Sequence, residues 1–200
     1  MVCAAAAAAP ADELILAENG HSAYQIVLAD HASPSTKHGA EELQTFLHQI
    51  AGVTLPIVSD QQPQSAKEII LGDNAHLQRL GVAIDFAALG QEGYVIRTVG
   101  ESLVIAGGAL RGTMYGVYGF LEDHEGCRWF APGVSRIPKQ ARLAIGPIDE
   151  RQVPVLEYRE PFVADCLDGD WCARNRMNSS AGRLEAKHGG KVKIWNIAHS

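Results

Sequence analysis

Cysteine is scarce, positive charge is not in excess, and no long apolar run interrupts the chain. Cys3, Cys127, Cys166 and Cys172 are too few and too unevenly placed for a disulfide framework or a CxxC metal knuckle, which leaves buried thiols as their simplest role. A formal net charge of −6, with lysines and arginines scattered rather than clustered, supplies no field that would gather phosphates. Nucleic acid and anionic membrane are therefore poor partners for it. The longest apolar candidate, Cys3 to Ala9, is mostly alanine and falls short of the roughly 18 residues a membrane span needs. His124-Glu125 is not followed by a histidine at the zinc-protease spacing, and neither a P-loop nor GxGxxG occurs, so no metal or cofactor is called for.

What is present suffices for a buried core, since 46% of the 200 residues are hydrophobic and only 20% charged. Residues 1–12 read either as the small-residue end of a signal peptide whose basic start is missing or as a disordered alanine-rich tail. The first alternative carries the expectation of an extracellular or periplasmic protein; Cys3 as a lipid-attachment site is a further possibility at the same end.

Hydrophobic periodicity organises the rest. Leu14–Ala17 and Tyr24–Ala29 read as strands, and apolar residues at Ala40, Leu43, Phe46, Leu47 and Ile50 mark a helix that Ser33, Ser35 or Thr36 can start and Gly52 can end. Leu55–Val58 and Glu68–Gly72 follow as strands, completing a β-α-β unit with parallel pairing. A short helical turn, Ala75–Leu80, precedes two strands, Tyr94–Val99 and Ser102–Ala106, joined as a hairpin at Gly100-Glu101. A second long helix spans about Arg111 to His124, stopped at Gly126. The expected fold is a two-layer α/β (α+β) domain, a mixed sheet of five or six strands carrying two main helices, over residues 13–148. Residues 149–154 are expected as a polar connector. Val155–Arg159, Trp171–Asn178 and Lys191–Ala198 then read as strand, helix and strand, the first β-α-β of an incomplete (β/α)₈ barrel over 149–200. This division predicts that residues 20–148 behave better without the remainder.

Four constellations could carry chemistry. Gly107–Gly112, between a strand and a helix, fits either a phosphate-binding turn or simply a tight reversal. Arg128 and Trp129 could stack on a sugar face, or Trp129 could anchor the chain beyond it at a domain boundary. Asp165, Asp168 and Asp170 suggest calcium, an acid/base pair or helix capping. His188 stands in His188-Gly-Gly-Lys191, and His199 falls at the end of an expected barrel strand, where barrel enzymes place active groups.

Arg111-Gly-Thr-Met-Tyr-Gly-Val-Tyr-Gly-Phe-Leu-Glu-Asp-His-Glu-Gly-Cys-Arg-Trp-Phe-Ala-Pro-Gly133 resembles the second-helix signature of the N-terminal domain of α-glucuronidase-like and β-N-acetylhexosaminidase-like glycoside hydrolases, and of large secreted bacterial proteins that carry this domain. Ala40–Leu47, Gly52–Ile57, Tyr158–Phe162, Gly169–Trp171, Arg174–Asn178 and His188–Lys191 are similar to the same family. The resemblance implies a non-catalytic accessory domain packed on its own C-terminal catalytic barrel, whose carboxylates come from later strands and whose substrate is a carbohydrate. It implies a sugar-hydroxyl-binding role for Arg159 and a place for His199 in the second barrel strand. A fragment inactive alone is the resulting expectation; the alternative is a carbohydrate-binding or interdomain scaffold module without hydrolase activity.

Overall fold

The computed structural model describes residues 13–192. The alanine-rich tail with Cys3, the body of the expected Lys191–Ala198 strand, and His199 lie outside them. Among the described residues ten strands form in chain order: β1 (Leu14–Glu18), β2 (Gln25–Leu28), β3 (Ile57–Ser59), β4 (Glu68–Leu71), β5 (Tyr94–Val99), β6 (Ser102–Gly107), β7 (Arg128–Ala131), β8 (Val134–Arg136), β9 (Arg142–Ile145) and β10 (Asp149–Gln152). The helices are α1 (Pro34–Ala51), α2 (Ala75–Arg79), α3 (Phe86–Leu89), α4 (Gly112–Asp123) and α5 (Gly169–Arg174), with single 3₁₀ turns at Ala164–Leu167 and Ala186–His188.

The main sheet has six strands in the order β10-β5-β6-β4-β2-β3. β3, β2, β4 and β6 run parallel, and β5 and β10 add antiparallel at the other end. Side chains alternate across it with the period of two that a pleated strand imposes. Ile69 and Leu71 of β4 and Leu103 and Ile105 of β6 join the large core under α1 and α4, whereas Ile70 and Val104 face a second cluster capped by Leu77 and Leu89 near α2 and α3. The two-layer α/β domain expected from the sequence is what forms, with short helices covering the sheet's other face.

Both ends of α1 follow from its residues. The Ser33 side chain accepts from the Thr36 amide, Pro34 takes the first turn where no amide partner is needed, and Gly52 stops the helix at φ 73°. α4 lies against α1 and has every residue from Gly112 to Leu121 buried, so it is enclosed rather than amphipathic.

Three expectations are corrected. Asp149–Gln152, expected as a connector, is β10, the edge strand that completes the β5 ladder from Asp149↔Arg97 to Gln152↔Tyr94. Polar residues at a sheet edge give no apolar alternation, so the strand exists only through its partner. Val155–Arg159, expected as a barrel strand, is irregular; Val155 is 98% exposed, and none of the described strands pairs with it. Packing continues across residue 148: Cys166, Trp171, Cys172 and Ala173 belong to the same core cluster as residues of α1 and α4. α5 itself is shorter than the helix expected over Trp171–Asn178 and ends at Arg174.

Candidate functional site

The segment after β10 returns across the α1/α4 layer and is tied down by charges that the core itself supplies. Glu92, in the loop before β5, is buried and accepts from Arg111 Nε at 2.7 Å and Asn178 Nδ2 at 2.8 Å on one oxygen and from Arg159 on the other. Arg111, the residue that precedes α4, reaches with Nη1 to the carbonyls of Gly189 and Gly190 at 2.7 and 3.1 Å. Two guanidiniums on one buried carboxylate satisfy the charge that burial would otherwise leave costly. Tyr115 sits below Arg159, 5.8 Å from ring centroid to guanidinium carbon, and its phenol is raised above the ordinary range, chiefly by burial. Beside this network an open cleft of 240 Å³ is lined by Tyr94, Tyr115, Gln152 and Arg159 among others.

A second tie joins three helices. Arg174 of α5 grips Glu42 of α1 through Nε at 2.7 Å and Nη2 at 3.0 Å, and the Tyr118 hydroxyl of α4 donates to the same carboxylate at 3.2 Å.

The third cluster combines His38 of α1, Asp170 of α5 and His188, whose potential ligand atoms lie within 4.8 Å of one another. Their chemistry does not suit a metal. The Glu185 amide donates to His188 Nδ1 at 3.0 Å, so the ring hydrogen is on Nε2, which donates to Asp170 Oδ1 at 2.7 Å. A ligating imidazole needs that lone pair free and its other nitrogen donating. Lys187 Nζ, also 2.7 Å from Asp170 Oδ1, stands where a cation would sit. Burial pushes the Asp170 carboxyl up, but the hydrogen bonds from Lys187 and His188 outweigh it and hold the group at about 2. His38 is held below its ordinary value, first by burial, and its Nε2 is 3.8 Å from Asp170 Oδ1 without a hydrogen bond.

The residues singled out in the sequence are thereby placed. Arg159 spends its donors on Glu92, the Arg176 carbonyl at 2.7 Å and the Leu156 carbonyl at 2.6 Å, and so serves as an internal tie. Trp129 is only 6% exposed, stacked edge-on against Phe46 and Tyr118, and its carbonyl accepts from Trp171 Nε1 at 3.0 Å. It anchors α5 to the core. Arg128 folds back onto the carbonyls of Glu122 and Cys127. Asp168 caps α5 through the Trp171 amide at 2.7 Å, Asp170 holds Lys187 and His188, and Asp165 is exposed, so the three aspartates share no acid/base task. Cys127, Cys166 and Cys172 are buried free thiols. Glu92, in Gly90-Gln-Glu-Gly93, carries no periodicity that would mark it in the sequence.

Gly107–Gly112 is shaped by protein rather than by a phosphate. A Cβ on Gly107 would lie 2.3 Å from the Gly112 carbonyl carbon, and one on Gly112 would lie 2.3 Å from the Gly93 carbonyl oxygen. Backbone crosses backbone here, and no side chain fits between.

The family model described as "Glycosyl hydrolase family 67 N-terminus" matches residues 13–120. No curated protein matches the chain. Among solved structures, a family GH115 4-O-methyl-α-glucuronidase with specificity for decorated arabinogalactans is similar at 18% identity and a TM-score of 0.58, over 89% of this chain and 29% of that one. The GH20 β-N-acetylhexosaminidase of Streptomyces coelicolor A3(2) is 14% identical with a TM-score of 0.43, over 75% of this chain and 26% of that one. A mutant Streptomyces plicatus β-hexosaminidase in complex with GlcNAc product is 15% identical with a TM-score of 0.46, over 84% of this chain and 32% of that one. The chain thus spans under a third of the length of each of these proteins, and the first likeness establishes a shared fold.

Proposed function

Because the chain belongs to the glycosyl hydrolase family 67 N-terminus family, we propose that it is the non-catalytic N-terminal domain of a carbohydrate-degrading glycosidase, working against a catalytic barrel and inactive by itself. The observation that carries the non-catalytic part is the use made of three acids that hold the segment after β10 together and to the rest. Glu92, Glu42 and Asp170 are each bound to basic side chains as structural ties, and a carboxylate held that way is not poised to give or take a proton at a glycosidic bond.

Docking on a barrel is supported by the stretch after β10. Val153, Val155, Leu156, Val163 and Leu167 are between 44% and 98% exposed, a run of apolar side chains that water alone does not explain. An α/β domain that presents such a strip has a surface suited to a larger partner. Export from the cytoplasm is part of the proposal and rests on the small-residue run of the first twelve residues.

Incubating the purified 200-residue chain with chromogenic glycosides, glucuronides and N-acetylhexosaminides among them, is the test. No release above a buffer control is expected. Turnover that survives further purification and is abolished by replacing any acid of this chain would overturn the non-catalytic assignment.

A further inference from the structure

A cleft at the carboxyl ends of β2, β4 and β6 belongs to none of the ties described above. The chain leaving β2 passes through α1 to β3 on one side, while the chain leaving β4 passes through α2 and α3 toward β5 on the other. The winding direction therefore reverses between β2 and β4, and open α/β sheets take their ligands in the crevice beyond the strand ends at such a reversal. Here the crevice measures 480 Å³, within the usual size of a small-molecule site.

Its lining decides the ligand class. Phe86, packed against the smaller core cluster, gives one wall an aromatic face. Thr36 and Thr113 bring hydroxyls, the first sharing a hydrogen bond with Ser33 Oγ at 3.0 Å and the second accepting from the Gly107 amide at 3.1 Å, and the two side chains approach each other across Gly72. Asp73 is exposed, and its carboxylate has a single 3.4 Å contact from Gln78 Nε2, so its acceptor capacity is largely unused. No lysine or arginine lines the cleft. An anion would meet Asp73 with only the exposed His31 imidazole, itself 3.9 Å from Asp30, to offset it, and a cation would find one carboxylate where it needs several. A wholly apolar ligand would cover the Asp73 carboxylate without satisfying it. A compact neutral molecule with one C–H face and several hydroxyls meets none of these objections.

We propose that this cleft binds a neutral pyranose unit, with the Phe86 ring against its apolar face and Asp73 and Thr36 hydrogen-bonded to its hydroxyls. The choice of saccharides as probes rests on the proposed carbohydrate function; the lining itself argues for a neutral polyol. Binding of this kind would give the domain a hold on substrate apart from any catalytic cleft.

The test is an NMR titration of the full 200-residue chain with glucose, xylose, galactose, their β-1,4-linked oligomers, and glucuronate. Saturable shifts at the amides of residues 72–73 and 107–109 are expected with the neutral sugars, with glucuronate weaker by about tenfold or more. Oligomers binding more tightly than monomers identify a polysaccharide, and the reverse identifies a free sugar. Asp73→Ala and Ala87→Trp, both at exposed positions, are expected to weaken binding at least about tenfold each without changing the melting temperature. No saturable shift with any sugar up to about 50 mM, shifts undiminished in both variants, or glucuronate binding as well as glucose would each overturn the proposal. The outcome is separable from the hydrolysis assay: an empty cleft with no turnover leaves the accessory-domain reading standing, and turnover with an occupied cleft removes that reading alone.

Discussion

Glu125 offers the sharpest quantitative check on this structure. It lies just past the C-terminal cap of α4, is 3% exposed, and has a buried Oε1 without a hydrogen-bond partner. Burial alone drives its carboxyl from the ordinary 4.5 up to about 7. The native state then keeps this proton up to near neutrality, while the unfolded chain releases it around its ordinary value. Between those two points the folded form binds more protons than the unfolded one, so stability falls as pH rises through the interval and is constant above it. At roughly 1.36 kcal/mol per pH unit, the full displacement is worth about 3 kcal/mol. Glu125→Gln fixes the neutral, nearly isosteric form. Relative to the parent it should be close to neutral near pH 4.5 and stabilised by about 3 kcal/mol near pH 8, a rise in Tm of about 6 to 12 °C for a domain of this size. Thermal unfolding of both proteins in matched buffers from about pH 5 to pH 8 reads the difference directly. Curves that stay parallel across that range, or a parent that gains on the variant as pH rises, would show that the carboxylate ionises with a partner and would refute the reasoning.

The other predictions concern the ties. Deleting residues 149–200 should unfold the rest rather than improve it, because removing β10 and the buried Trp171, Cys172 and Ala173 forfeits about 5 kcal/mol or more of apolar burial, as much as a small domain's whole stability; a cooperative melt of residues 13–148 alone would contradict this. Trp129→Ala should cost about 3 to 5 kcal/mol in denaturant unfolding while leaving any saccharide binding in intact protein unchanged. Asp170→Asn should abolish the loss of stability that the parent shows as pH falls through the interval from 3.8 to about 2. The sign comes from the lowered carboxyl: its contribution is present above the unfolded value and lost below the folded one. Arg159→Met should lower stability by about 2 kcal/mol, less than the loss of Arg111, because Glu92 keeps the Arg111 and Asn178 bonds.

Local signals carried most of the fold. The apolar runs of β2 and β4, the hairpin of β5 and β6, and the capped helix α1 with its Ser33 start and Gly52 stop were all legible because each is specified within a few residues. β10 was not, since its four polar residues acquire meaning only from the β5 ladder. β1 was legible as a strand but its pairing was not: its partner β9 lies far along the chain, with Leu14 opposite Ile145. The ties were less visible still. Glu92 meets Arg159 across 67 positions and Glu42 meets Arg174 across 132. Charge pairing at such separation leaves no periodic trace, and its residues look like ordinary solvated side chains. Of the two roles open to Trp129, anchor and sugar platform, the structure shows the anchor, and sequence could not reveal it because an indole's environment is set by what folds over it.

Arg111 occupies an unusual position in the wiring of the molecule. It comes directly after the turn whose Gly108 and Ala109 border the cleft, and its guanidinium ends on the carbonyls of Gly189 and Gly190 at the far side. If an occupant of the cleft displaces that turn, the strain arrives at residues 189–190, and a neighbour pressing on residues 189–190 sends it back through the same side chain. Reciprocity then requires the two events to help or hinder each other by equal free energies, whichever comes first.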